Sequence, residues 1–520
     1  MLFKPRQALA LEPWVRSILT AAIYDLAQET PVTNAPNLSR RMARPVVFKR
    51  EDLQPIFSFK IRGAYNRMLQ LSPEQRLAGV IAASAGNHAQ GVAIAAHHLN
   101  ISSVVIMPKT TPTIKVDAVR RWGSQVELIG DTFDQAAEYA LNLSNEKKLE
   151  FIHPYDDAHV IAGQGTVGME IIRQCAQPPA AIFLPVGGGG LLAGVAAYVK
   201  YVRPDVKIIG VEPEEAASLQ EALIADERII LKKLGIFVDG AAVRQIGKLP
   251  FEIARHWVDE VITVSNDEIC AAIKDIFEDT RCIAEPAGAL SVAGLKKYVK
   301  NNPQSTEEIH STTQAPLLAV VSGANMNFDR LRYISERTEL GEGREAIVAV
   351  SIPEKPGSFR AFCRALGKRN ITEFNYRYSD EKEAHVYVGI QMSKRIIDLP
   401  EILKTLAIDY AVVDLTDNEI AKLHIRHLVG GRAAQLTNER VFRFEFPERP
   451  GALMDFLEAL GEQWSITLFH YRNHGAAYGR VFVGFSIPNS EQKDVNQHFD
   501  KLGFEYWEET SNPAYQLFVR

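Results

Sequence analysis

Cysteine is scarce: four residues in 520, Cys175, Cys270, Cys282 and Cys363, with no CxxC pair among them. Neither a disulfide framework nor a zinc site is expected, and a reducing cytoplasm suits such a chain. Long apolar runs are missing too, since no stretch approaches the roughly 18 residues needed to span a bilayer. The first dozen residues carry Lys4, Arg6 and Glu12, which speaks against a secretory signal. Charge of one sign is not in excess either: 58 Lys and Arg against 63 Asp and Glu leave a net charge of −5. No block of like charge forms a patch for nucleic acid or a membrane surface, so a small-molecule partner is expected.

What is present is enough chain for about three or four domains of roughly 150 residues each. From about Arg44 to Ile334, short apolar runs alternate with amphipathic segments. Val80–Ala83, Ser103–Met107, Gln125–Ile129, Ala181–Val186, Lys207–Val211 and Leu317–Val321 read as buried strands. Buried strands separated by helices imply a parallel α/β sheet. Three of these strands run straight into small-residue turns that open helices, at Ser84-Ala85-Gly86-Asn87, Gly187-Gly188-Gly189-Gly190 and Ser322-Gly323-Ala324-Asn325. Ligands of open α/β folds sit at such carboxyl ends. The polar segment Asn301–Gln314 reads as a surface loop.

After about Gly343 an internal repeat begins. Ile352-Pro353-Glu354-Lys355-Pro356-Gly357-Ser358-Phe359 recurs 94 positions later as Phe446-Pro447-Glu448-Arg449-Pro450-Gly451-Ala452-Leu453. Ala365-Leu366-Gly367 recurs at the same offset, and Ile371-Thr372, Phe374, Tyr376-Arg377 and Val388-Gly389 recur at an offset of 95. Each copy reads strand, Pro-Gly turn, helix, strand, strand, with helix faces Phe359/Phe362/Leu366 and Leu453/Phe456/Leu457/Leu460. These are α+β, ferredoxin-like units. The Pro-Glu-(Lys/Arg)-Pro-Gly pattern followed by an amphipathic helix resembles the ACT family of amino-acid-sensing modules, in which effectors bind between paired units.

The chemistry-bearing candidates lie in the first part. Ser58-Phe59-Lys60-Ile61-Arg62-Gly63-Ala64 sets a lysine between an aromatic and a glycine, which is either a solvated lysine at a helix start or a buried amine for covalent work. The four glycines after Val186 can turn backbone N–H groups onto a phosphate at a helix N-terminus. Gly188-x-Gly190-x-x-Ala193, with Glu212 about twenty residues on, also fits a dinucleotide site. Ser84 and Asn87 stand at another donor-rich helix start or merely cap it, His88 alone would be a structural histidine, and Ser322 alone an N-cap. Together, a lysine, a phosphate cradle and two polar turns suit pyridoxal phosphate, which needs an amine, an apolar wall, a phosphate loop and a polar group for its pyridine nitrogen.

In this order, Ser-Phe-Lys-Ile-Arg-Gly-Ala-Tyr, Ser-Ala-Gly-Asn-His-Ala-Gln-Gly, Gly-Gly-Gly-Gly-Leu and Ser-Gly-Ala-Asn resemble the biosynthetic threonine dehydratases. That family joins a fold-type-II catalytic domain, with parallel sheets in two subdomains, to two ACT-like regulatory domains. The resemblance implies domains at 1–343, 346–417 and 440–511. It implies that Lys60 is the cofactor's covalent anchor and the base at Cα, that Phe59 packs near the ring, and that Asn87 bonds the ring hydroxyl. Gly187, Gly188, Gly189, Gly190 and Leu191 would hold the phosphate, and Ser322 would face the pyridine nitrogen. Ser84, a candidate catalytic residue, and the loop to His88 would grip the substrate carboxylate.

The resemblance further implies L-threonine as substrate, inhibition by isoleucine, antagonism by valine, and a homotetramer. Ala85 stands where related serine racemases carry a second serine, which argues against racemisation. Ser218, six positions after Glu212, replaces the acidic residue with which those relatives bind a divalent cation, so no metal site is expected. The alternatives are a β-replacement enzyme of the cysteine-synthase kind, whose substrate loop usually begins with threonine, an L-serine dehydratase, or a non-enzymatic amino-acid-binding regulator.

Overall fold

The computed structural model describes the chain apart from residues 1–8, 304–313, 354–360, 363–364, 367–368, 370, 378–382, 394, 428–437, 448–463, 473–477, 489 and 492–494. It divides into two compact units, 1–331 and 332–520. The first unit contains β1 (Val32–Asn34), β2 (Val46–Arg50), β3 (Val80–Ala83), β4 (Ser103–Met107), β5 (Gln125–Leu128), β6 (Glu150–Phe151), β7 (Ala181–Pro185), β8 (Lys207–Pro213), β9 (Glu260–Val264) and β10 (Leu317–Val321). They form two sheets, ordered β1-β2-β10-β7-β8-β9 and β5-β4-β3-β6. All pairs are parallel except β1 with β2. The six expected strands all form, within one or two residues at their ends.

β10 is buried at every position between β2 and β7. Its Leu-Leu-Ala-Val-Val run has no polar face because helices cover both sides of a parallel sheet. The chain leaves the larger sheet after β2, builds the smaller one, and returns through the helix Ala158–Gln174 to β7. Ile61, Ala64, Tyr65 and Met68 of the helix Lys60–Leu69, spaced three or four apart, pack on Val80, Ala82, Val92 and Ala95. On its other side that helix meets Gly163, where any Cβ would stand 2.5 Å from the Arg62 carbonyl oxygen. Two helices thus meet backbone to backbone, two residues beyond Lys60.

The same helix is pinned by a buried charge cluster. Arg62 donates to Glu51 (2.7 and 2.8 Å) and to Glu170 (2.5 and 2.9 Å), while Lys49 reaches Glu170 at 2.6 Å. Two cations meet two carboxylates, and all four side chains are sealed from solvent. Despite the cost of burial, Glu51 and Glu170 hold the Arg62 guanidinium above its ordinary pKa.

The second unit contains β11 (Glu345–Pro353), β12 (Ile371–Arg377), β13 (Glu383–Gln391), β14 (Ala411–Asp414), β15 (Glu439–Pro447), β16 (Ser465–Arg472), β17 (Tyr478–Ser486) and β18 (Glu505–Glu508). Its two antiparallel sheets share one order, β12-β13-β11-β14 and β16-β17-β15-β18. Each copy therefore has a second helix, Arg395–Leu406 or Val495–Leu502, and a fourth strand beyond the expected pattern. Alternation along β11 sends Ala346, Val348, Val350 and Ile352 toward Phe362 and Leu366, and Ile347 and Ala349 toward Val441 and Phe482 of the other copy. The repeat also extends past the sheets: Asn418 and Asn512 each cap a short helix, and their side chains bond one another at 3.1 Å. Phe359, both Pro-Gly turns, the face Leu453/Phe456/Leu457/Leu460 and most of the Asn301–Gln314 loop lie outside the described residues.

Candidate active site

The motif turns converge on one another. Ser58 forms an antiparallel bridge with Gly323, and the Phe59 N–H donates to the Ser322 carbonyl at 3.1 Å. The lysine segment and the turn after β10 are therefore held as one piece. Lys60 opens its helix, and Nζ donates to the Pro154 carbonyl at 2.8 Å while lying 5.3 Å from the Phe59 ring centroid. Burial pushes its pKa down to about 8, against the opposing pull of Glu285. An amine so placed is neutral, and nucleophilic, far more often than a solvated one.

The glycine turn follows β7 and opens the helix Gly190–Val202, leaving the N–H groups of its first turn without helical acceptors. Gly189 caps it at φ +86°, a conformation side chains resist. A Cβ on Gly188 would stand 2.1 Å from the ring of Tyr155, beside the carbonyl that receives Lys60. A small anion against backbone donors is what such a cradle takes.

Asn87 opens the helix Asn87–Leu99. Its Nδ2 donates to Glu285 Oε1 at 2.5 Å, and its Oδ1 accepts from Asn325 Nδ2 at 2.7 Å. Ser84 Oγ accepts the Gly86 N–H at 3.2 Å, a local turn that shapes the loop. His88 is structural: burial drives its pKa down to about 3, and the neutral ring donates from Nε2 to the Ile152 carbonyl at 2.8 Å. Ser322 Oγ is buried and 3.4 Å from its acceptor, the Ala287 carbonyl, a long bond that leaves the hydroxyl ready to turn to a better partner.

Pro154, Tyr155 and Glu285 are parts of the site that sequence reasoning did not single out, and Asn325 entered only as the last residue of the turn after β10. Glu285 could have been seen only as the residue before a helix-opening Pro286, and Pro154 acts through a carbonyl that every residue possesses. The structure also weighs against a dinucleotide. Glu212 is fully buried, and both its oxygens accept N–H groups, from Leu219 and Gln220 at 2.8 Å each. Buried and committed to capping a helix, this carboxylate is not turned toward a ribose.

The donor set fits pyridoxal phosphate: a desolvated amine, a Cβ-free phosphate cradle, a side-chain amide and an uncharged buried hydroxyl, all around one crevice. Fold and site together define a fold-type-II pyridoxal-phosphate enzyme, and residues 23–309 match the family model described as pyridoxal-phosphate dependent enzyme. Residues 336–425 and 430–519 match that of the C-terminal regulatory domain of threonine dehydratase. The chain is 49% identical to a biosynthetic L-threonine dehydratase of Burkholderia multivorans, over 98% of this chain and 100% of that one. It is 47% identical to the biosynthetic enzyme of Escherichia coli, over 97% of each. Among solved structures, the processed form of threonine deaminase isoform 2 from Solanum lycopersicum superposes with a TM-score of 0.62 at 44% identity, covering 65% of this chain and 91% of that one. The chain belongs to the biosynthetic threonine dehydratase family.

Proposed function

We propose that the protein converts L-threonine to 2-oxobutanoate and ammonia, and that isoleucine restrains it through residues 346–417 and 440–511 while valine opposes isoleucine. The observation that carries the reading is the meeting of Lys60, the glycine turn, Asn87 and Ser322 around one crevice. Pyridoxal phosphate, when bound, holds the substrate nitrogen and draws electron density from Cα. Lys60 would anchor it, Phe59 would pack near its ring, Asn87 would hold its ring hydroxyl, Gly187 to Leu191 its phosphate, and Ser322 would face its pyridine nitrogen.

The rest of the mechanism belongs to this chain's side chains. Once substrate has taken its place, the Lys60 amine, desolvated by its burial, is free to remove the Cα proton. Ser84 and the turn to His88 would hold the carboxylate with hydroxyl, amide and backbone donors, aligning the Cα–H bond with that amine. Loss of the Cβ hydroxyl with a proton releases water. The freed enamine tautomerises and takes the water back on hydrolysis, giving the oxo acid and ammonia. Ser322 carries no charge with which to fix a proton on a ring nitrogen, which favours prompt elimination. Ala85 offers no hydroxyl to return a proton from the opposite face.

We further take residues 1–343 as the catalytic domain, the assembly as a homotetramer and the reducing cytoplasm as its setting. Among the described residues no helix is long and apolar enough to cross a membrane. The test is an assay for 2-oxobutanoate from L-threonine, with and without isoleucine. Turnover that isoleucine suppresses is expected; no 2-oxobutanoate from threonine would overturn the reading.

A further inference from the structure

One ion-paired carboxylate next to the site is unused by this mechanism. Asp239 accepts from Lys115 Nζ at 2.6 Å, pairs with Arg330 NH1 at 3.3 Å, and takes the Gly240 N–H at 3.0 Å. Lys115 rides on the helix Thr113–Arg120, which packs against the smaller sheet, whereas Asp239 belongs to the segment between β8 and β9 of the larger one. The pair thus ties an element of the smaller sheet's side to one of the larger. Its neighbour Gly240 presses on the Glu285 turn: a Cβ there would lie 2.9 Å from Ala287 Cβ and 3.9 Å from Glu285 Oε1. Glu285 in turn bonds Asn87 at 2.5 Å, and its own N–H donates to the Gly323 carbonyl at 3.1 Å.

Arg330 has a second significance. It is the first residue of the helix Arg330–Gly341, which runs into the regulatory part of the chain. Its side chain is 7% exposed, and its guanidinium stands 5.8 Å from the Phe237 ring centroid. Two turns on, Arg337 makes a two-pronged pair with Glu419 at 2.8 and 2.9 Å. One helix therefore has an ion pair within each compact unit. The Asp239 side chain is 37% exposed, and the Lys115 and Arg330 charges hold its carboxyl below the usual carboxylate range.

We infer that Asp239 and Glu285 are positioning residues, and that Arg330, through Asp239, sets how firmly Glu285 orients the Asn87 amide, giving the regulatory helix a grip on the cofactor site. The inference rests on the proposed function only in assigning Asn87 to the cofactor. The electrostatics act in the required sense. Burial and then the Asp239 charge push Glu285 up to about 7, against the Asn87 bond and the Lys115 and Arg330 charges, and Lys60 is the other charged group it faces. An ionised Glu285 accepts strongly from Asn87; a protonated one competes as a donor. Losing Arg330 leaves Asp239 less neutralised and favours protonation of Glu285. Losing the Asp239 charge does the reverse.

The experiment is a pH titration of the visible absorbance of the full-length holoenzyme, for the native protein and for D239N, R330Q, E285Q and the doubles that add E285Q. R330Q is expected to move the midpoint up and D239N to move it down, each by about one pH unit. In the E285Q background both substitutions become silent. Shifts of the same sign, no shifts, or shifts that persist with E285Q would overturn the inference while leaving the proposed function intact; absence of a visible band in the native holoenzyme would instead sink that function. Should E285Q fail to hold the cofactor, the opposite signs of the two single shifts decide the matter alone.

Discussion

Lys60 shows most directly what a single environment does to a residue. With its pKa lowered to about 8, roughly a tenth of the amine is neutral at pH 7, about 200-fold more than for an ordinary lysine. The rate at which the cofactor-free protein takes up pyridoxal phosphate should accordingly climb with pH and level off above about 8, which stopped-flow absorbance would measure; a rise continuing toward pH 10 would refute the burial argument. The same shift has a stability consequence. Between the folded pKa and about 10.4 the unfolded chain binds more protons at this site, so Lys60 makes the cofactor-free protein more stable as pH rises through that window. Arg62 is the opposite case, a charge made tolerable by two carboxylates. Arg62→Met leaves Glu51 and Glu170 short of a partner and should cost about 3–5 kcal/mol in denaturant unfolding. A cost below about 1 kcal/mol would mean that the cluster holds nothing in place.

At the scale of elements, the glycine turn makes the sharpest prediction. Because a Cβ on Gly188 would meet the root of the Tyr155 ring at 2.1 Å, rotation of that ring cannot relieve the clash. Gly188→Ala should weaken cofactor affinity at least tenfold by spectroscopic titration, with the helix Gly190–Val202 still formed by circular dichroism; unchanged affinity would remove the turn from the cradle. The strand-turn-helix units that carry Ser84 and Gly187 were legible in the sequence because apolar runs end abruptly in small residues; the turn at Ser322 was expected to open a helix too, but the next helix begins only at Arg330. β2 was not, since Lys49 and Arg50 interrupt its apolar pattern; only the fold reveals that Glu170 and Asp52 neutralise them. Glu285 and Pro154 were invisible for a different reason. Their roles come from where distant segments meet, 198 positions apart for Asn87 and Glu285.

For the whole molecule, the repeat announced its own architecture, and two sheets of identical strand order follow from it. The repeat pointed to paired units, and the structure supplies the residues of their joint core, in which Ile347, Ala349 and Tyr387 meet Val441 and Phe482. Truncation after Gly343 should abolish any response of 2-oxobutanoate formation to isoleucine while threonine turnover persists; retained sensitivity would move the sensor elsewhere. The proposed chemistry rests on one covalent attachment. Borohydride reduction of the holoenzyme followed by peptide mass spectrometry tests it most directly. A pyridoxyl adduct on the peptide that contains Lys60 is the predicted result, and an adduct on another lysine, or none at all, would contradict it.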